Sequence, residues 1–304
     1  MDGGPVNPVG RLNAWLNGPP AHRLGIAMLQ RAIGACLLFR VATEGPFADY
    51  LWGPNAVAVG STTALFGDDL GARLDVVFTS DLAVRTMLAG LALSGLALLT
   101  QVWTRAATLV AWAVFLILGL RLPELNDGGD NFTALALFYL IGVLPAGAVA
   151  NPGSLRAWLH NLSFLAVAIQ TCMVYFVAGF MKLGGSYWQN GTALYVISQV
   201  EWFSIPEARA WFKNPFIVMP ATYSTMLFQI WFPIALFSRI KLWFLALAMA
   251  FHLGIVINMG LITFSTVMAG ADLALISDAE FQTLRRRLRS MFRFQDESIC
   301  PASR

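Results

Sequence analysis

The chain has 304 residues, of which 57% are hydrophobic and only 12% charged, with a formal net charge of +3. A typical soluble domain carries roughly 25% charged residues and has too little interior to hide this much apolar surface, and the mean hydropathy of +0.64 points the same way. These values exclude disordered, collagen-like and coiled-coil chains, give no support to nucleic-acid binding, and predict an all-α fold, a polytopic transmembrane helix bundle.

Residues 1–22 are polar and rich in Gly and Pro, without the apolar region of a cleavable signal peptide. The first span is therefore expected to act as its own insertion signal. A crossing helix needs about 20 apolar residues, and stretches at 24–43, 84–101, 106–122, 131–150, 161–183 and 215–237 are predicted spans. The stretch 242–276 is too long for one span at about 1.5 Å per residue. It is expected to divide near Asn258, Met259 and Gly260. The expected count is about eight membrane segments, with seven as the alternative, in a membrane domain over 23–276. A tail follows at 277–304.

Loop charges orient the spans by the positive-inside rule. Arg11, Arg23, Arg105, Arg156, Arg239 and Lys241 fall in alternate connections, and the tail adds Arg285, Arg286, Arg287, Arg289 and Arg293. Two of the other connections are acidic, with Glu44, Asp49, Asp68, Asp69, Asp75 and Asp81 against Arg73 across 44–83, and Glu124, Asp127 and Asp130 after Arg121, while 184–214 is mixed, with Glu201 and Glu207 beside Arg209 and Lys213. Both termini are predicted cytoplasmic, in the cell membrane (a bacterial inner membrane) with the lipid bilayer as the main partner. In the tail, Ser277 and Glu280 fit a capping box. Phe281, Leu284, Leu288 and Met291 then recur at helical spacing opposite the arginines, the pattern of a basic amphipathic helix on anionic lipid.

Ionisable and polar residues at membrane depth are functional candidates. They are Arg31, Arg40, Gln170, Lys182, Gln229, His252, Asn258 and Asp272, with Glu44, Asp127, Asp130 and Asn131 at span ends. Counting from Asn161, Lys182 lies roughly 30 Å along its helix, at the outer interface, where the charge bias disfavours a lysine. Asp130 and Asn131 open the next helix back from that side. Asn258 is expected near an outer turn with His252 about 9 Å deeper. A lysine, a histidine and an Asp/Asn pair are thus expected in the outer half of one bundle. Each also has a structural reading: snorkelling for Lys182, interhelical packing for His252, and helix capping for Asp130 and Asn131. Arg31 and Arg40 are expected to pair with carboxylates or helix ends. His22, His160 and His252 lack metal-ligand spacing, and Cys36, Cys172 and Cys300 form no CxxC pair, so no metal site is expected.

The run Gln170-Thr171-Cys172-Met173-Val174-Tyr175-Phe176-Val177-Ala178-Gly179-Phe180-Met181-Lys182-Leu183, followed by Trp188 and Gly191, resembles the YxxAGxxKL…W…G signature of the HTTM (horizontally transferred transmembrane) superfamily. That superfamily includes the vitamin K-dependent gamma-carboxylase. Gly129-Asp130-Asn131, Phe251-His252-Leu253, Met259-Gly260, Phe264-Ser265 and Tyr50-Leu51-Trp52-Gly53-Pro54 extend the resemblance over roughly 20–275. It implies that Lys182 is a general base toward a reduced quinone, the possible cofactor. It makes His252 a second catalytic candidate, with Asp130, Asn131, Tyr175, Trp188 and Asn258 as substrate-binding candidates. An amine held out of bulk water is more readily neutral, the form a base needs. The gamma-carboxylase has a large β-rich region after its membrane domain, whereas this sequence has the arginine tail. The size is closer to compact bacterial members of the sporulation-delaying protein B type, associated with maturation of exported toxin peptides.

The leading expectation is an enzyme-like membrane protein acting at the outer face on an exported peptide or a lipid-soluble quinone. A non-catalytic protein of peptide maturation or immunity is the alternative, and a small-solute transporter is third.

Overall fold

The computed structural model describes residues 7–57, 60–201 and 204–299. Among them no strand occurs, and the chain folds as successive helices. Six are long and apolar enough to cross a membrane: α2 (Arg23–Glu44), α6 (Asp81–Thr100), α7 (Thr104–Arg121), α9 (Leu155–Lys182), α13 (Pro215–Ala235) and α14 (Lys241–Met259). Two apolar helices of 13 residues join them, α8 (Gly128–Leu140) and α15 (Ile262–Ala274). These helices are compatible with a multi-pass membrane protein. A short α1 (Pro8–Leu16) precedes the bundle and α16 (Asp278–Ile299) follows it.

Local chemistry sets the helix ends. Ser154 caps α9 by accepting from the Ala157 N–H, so that helix begins six residues before the predicted start at 161. Asn214 caps α13 directly before Pro215, whose missing N–H costs nothing in a first turn. The long stretch 242–276 does divide as expected, because Gly260 takes φ +68° and ends α14. The predicted span 131–150 is corrected: the helix stops at Leu140, and Gly142 and Pro145 carry the chain into turns. The connections at the end opposite the basic ones are also not plain loops. Residues 44–83 contain α3 (Ala48–Leu51), α4 (Thr63–Phe66) and α5 (Asp68–Phe78), and 184–214 contain α10 (Ser186–Gln189), α11 (Ala193–Ser198) and α12 (Pro206–Trp211).

α2 is the central helix, packed between α6 and α15. Its approach to α6 is backbone on backbone: a methyl group on Gly34 would meet the Gly95 carbonyl oxygen at 2.7 Å, and one on Gly95 would meet the Gly34 carbonyl oxygen at 2.9 Å. α9 packs on α13 through Gly179, where a methyl group would meet the Ile230 backbone nitrogen at 2.9 Å. Leu29, Ile33, Leu91, Leu98, Ala111 and Leu137 fill the core. The perimeter is apolar too, with Phe237, Trp243 and Trp103 exposed at one end and Phe216, Trp211 and Tyr187 at the other. Such rings suit the two interfaces of a bilayer.

Cross-chain bonds define the two ends of the bundle. At one end, Asn161 binds the carbonyls of Trp15, Leu16, Gly18 and Pro19 and accepts from the Ala21 N–H. Arg105 reaches the Ile141 carbonyl and Lys241 pairs with Glu280. The basic connections therefore gather at this end. At the opposite end, Arg40 pairs with Glu44 and Asp130, and Arg121 lies 3.5 Å from Asp75. The expected capping box forms at Ser277 and Glu280, with Phe281 half-buried and Arg285, Arg286 and Arg287 exposed. Cys300 and the side chains of Leu288, Arg289, Met291 and Arg293 lie outside the described residues.

Candidate functional site

Two of the long-range polar contacts in the bundle meet at one phenol. Tyr175 on α9 is stacked on Phe232 of α13 with ring centroids 3.9 Å apart, and Phe228 closes its edge. This aromatic wall fixes the ring and leaves only its hydroxyl free to turn. That oxygen lies 2.6 Å from Nε2 of His252 on α14 and 2.8 Å from Oδ2 of Asp272 on α15. Nε2 and Oδ2 are themselves 3.5 Å apart. All three side chains are buried, and Asp272 is 0% exposed.

One phenolic hydrogen cannot be donated to both neighbours. Either Tyr175 donates to Asp272 while the Nε2–H of His252 donates to the phenol oxygen, or a protonated Asp272 donates to the phenol and the phenol donates to Nε2. The two arrangements differ only in where the protons sit along a short chain. The ends of that chain are His252 Nδ1 and Asp272 Oδ1, both buried and without a hydrogen-bond partner among the described residues. Gln229 Oε1 on α13 and Ser265 Oγ on α15 are two more such atoms on the flanking helices. Buried polar atoms are nearly always paired.

The remaining sequence candidates do not join this cluster. Lys182 is the last residue of α9, seven residues and so two turns beyond Tyr175, about 10 Å along the same face. Its ammonium donates to the Ala178 carbonyl at 3.0 Å and stands 4.9 Å above the Trp188 ring. Trp188 is thus a neighbour of the lysine rather than of the histidine. Gly179, within the same motif, is explained by the close approach of α13.

Asp130 lies on the other side of Phe264. A methyl group on the adjacent Gly129 would meet the Phe264 Cα at 2.7 Å, while the Phe264 ring centroid is 5.8 Å from that of His252. Asp130 bonds Arg40 at 2.8 Å, and Arg40 also holds Glu44 at 2.7 Å and lies over the Phe115 ring. The N-cap of α8 is Asp127, and Asp130 is its reciprocal partner in a capping box, so the expected capping role moves by three residues. Asn131 is exposed on the first turn of α8 and belongs to neither cluster. The expected gathering of Lys182, His252, Asp130 and Asn131 is therefore replaced by separate clusters around Tyr175 and Arg40. The carboxylate pairing expected for Arg40 is present, and Arg31 reaches a helix end, donating to the Leu99 carbonyl.

Asn258 lines a third place, an apolar cavity of about 210 Å³ with Leu194, Ile197, Ala221, Phe251 and Ile255. Its amide donates to the Gly254 carbonyl at 2.7 Å and its Oδ1 is buried without a partner. Phe251 belongs both to this wall and to the rings around His252. Asp272 stood out in the sequence as a lone acid in an apolar stretch, but nothing local assigned it a partner. Among the described residues, no group of three His, Cys, Asp or Glu side chains is arranged to hold a metal ion.

No family model matches the chain, and no solved structure matches it. A protein of Bacillus subtilis (strain 168), named as uncharacterized protein YitO, is 29% identical over 185 residues. The match covers 53% of this chain and 59% of the relative's length, so it spans well under two thirds of that protein.

Proposed function

We propose that the chain is an HTTM-like protein of the bacterial inner membrane that handles a proton for a substrate reached from the outer half of the bilayer. In this reading α8 and α15, only about 20 Å long each, are shortened segments that cross together with the turns that follow them, giving eight membrane segments with the six long helices and cytoplasmic termini. The gathering of Arg23, Arg105, Arg156 and Lys241 at one end of the bundle supports that orientation. Lys182 is the general base at the outer mouth, and Tyr175, His252 and Asp272 form a proton relay two turns beneath it. The observation that carries the reading is the buried Tyr175–His252–Asp272 chain, open at both ends, on the helix face that leads to Lys182.

The substrate is an exported peptide, a lipid-soluble quinol, or both. The cavity beside Asn258 fits a quinol: its walls are apolar, and the unpartnered Asn258 Oδ1 suits a hydroxyl donor. A bound quinol would supply acidic hydroxyls and two reducing electrons. Phe251 and Ile255 would hold its ring, and Asn258 would orient one hydroxyl. The motif around Tyr175 and Lys182 adds its resemblance to this reading.

The test uses the protein in nanodiscs with a reduced, membrane-soluble naphthoquinone and oxygen. Quinol loss should exceed that in empty nanodiscs, and Lys182→Ala should slow it by about 10²-fold or more, the usual worth of a positioned acid–base group. An unchanged rate in Lys182→Ala removes the proposed base. Peptide capture without chemistry is the second reading, favoured by the helices α3–α5 and α10–α12 that build up the acidic end. There Lys182→Ala leaves peptide binding intact while changes in 184–214 abolish it.

A further inference from the structure

The basic end of the bundle holds another cavity, far from the relay, in which polar side chains are set among apolar walls. Its volume is about 450 Å³, and it opens between the start of α2, the α6–α7 turn, the α8–α9 connection and the start of α16. Arg23, Gln30, Arg31, Gln101, His160, Asp278 and Gln282 supply its polar groups.

Most of these groups are already engaged. His160 accepts the Leu144 N–H at Nδ1 and binds the Ala21 carbonyl through Nε2 at 2.8 Å, so its ring is held by both nitrogens. Asp278 takes the backbone N–H groups of Arg23 and Leu24 at 3.1 and 2.8 Å, closing the first turn of α2. Gln101 donates to the Leu98 carbonyl at 2.7 Å. Arg23 donates one terminal nitrogen to the Ala148 carbonyl.

Besides the exposed Gln282, two side chains are left over. Arg31 uses only Nε, toward Leu99, and no carboxylate pairs with it among the described residues. Gln30 is 4% exposed, lines the cavity, and makes no hydrogen bond among the described residues. Two guanidinium groups thus face one carboxylate that is already bonded, which favours an anion. A planar guanidinium with free terminal nitrogens matches two oxygens of a phosphate. Leu99 is next to the last residue of α6, so Arg31 stands at the height of the basic-end turns. Phosphates of a lipid leaflet occupy that level.

We propose that this cavity binds a phosphate ester, with Arg31 and Gln30 as its donors. The phosphate comes from an anionic phospholipid headgroup of the adjoining leaflet or from a free glycerol phosphate. The site is independent of the relay and needs no catalysis.

The full protein in phosphatidylcholine nanodiscs is titrated calorimetrically with sn-glycerol 3-phosphate. In a second arm, native mass spectrometry counts phosphatidylglycerol retained on protein released from mixed vesicles. One saturable equivalent is expected in at least one arm: the first identifies a free ester and the second a headgroup. Arg31→Gln and Gln30→Glu should each weaken it tenfold or more. Arg285→Gln, on the exposed face of α16, should leave it unchanged. If Arg31→Gln does not fold, Gln30→Glu decides, because it keeps the side-chain size and sets a carboxylate against the anion. No stoichiometric binding in either arm overturns the assignment. So does binding that survives Gln30→Glu in protein with normal melting.

Discussion

Tyr175, His252 and Asp272 are separated by 77 and 97 positions along the chain, so nothing in their local sequence announces the pairing. The rule that ionisable residues at membrane depth are candidates did single out His252 and Asp272. Tyr175 entered only through the motif around Lys182. What remained illegible was the joining of these residues, which depends on how α9, α14 and α15 pack. A second residue-scale case lies outside the spans. Burial alone would raise the Asp75 carboxyl, but hydrogen bonds from Ser61 and Thr62 and the nearby Arg121 guanidinium outweigh it and hold Asp75 below the usual carboxylate value. A depressed folded value stabilises above the unfolded value of about 3.9, and the contribution is lost as pH falls through the folded value. Hydrogen exchange over 60–78 should therefore quicken below about pH 4. Asp75→Asn should flatten that acid response, and an unchanged pH profile in the variant would show that Asp75 is not its source.

At the scale of elements, apolar length and end chemistry made most helices legible before any packing was known. The predicted 24–43 and 106–122 lie within a residue or two of α2 and α7, and the division at Gly260 was readable from an Asn-Met-Gly step. The failures were at 131–150 and at the start of α9. Hydropathy cannot see that Gly142 and Pro145 interrupt one apolar run, or that the Ser154 cap extends another into polar sequence. Helix contact was less legible still, since glycines in apolar runs do not say which neighbour they face. Gly34 faces Gly95 at backbone distance, and Gly34→Leu should push α2 from α6. Overpacking of this kind costs about 1–3 kcal/mol. A lowered melting temperature in detergent is the expected readout, while an unchanged one would mean that the two helices separate freely.

For the whole molecule, the scarcity of charge is informative because the few charges are sorted. The basic connections lie together at the end where Asn161 and Asp278 fasten the chain around α2, and Arg40 and Arg121 hold carboxylates at the other. If the basic end is cytoplasmic, a protease should remove a C-terminal tag from inverted membrane vesicles and leave it intact in right-side-out vesicles. The opposite pattern would reverse the orientation and move Lys182 to the cytoplasmic face. The Tyr175–His252–Asp272 cluster differs from these fastenings. Its atoms His252 Nδ1 and Asp272 Oδ1 have no hydrogen-bond partner among the described residues, which is costly in a low-dielectric interior. A buried polar cluster that the packing does not depend on can be replaced as a unit by apolar side chains with little loss of stability, whereas removing one partner alone leaves an uncompensated buried group. The decisive measurement is the melting temperature, in nanodiscs, of the triple variant Tyr175→Phe, His252→Leu and Asp272→Leu against the unaltered protein. An equal or higher melting temperature is the expected result, and a drop equivalent to about 3 kcal/mol or more would show that the cluster holds the bundle together and would contradict its assignment as a functional site.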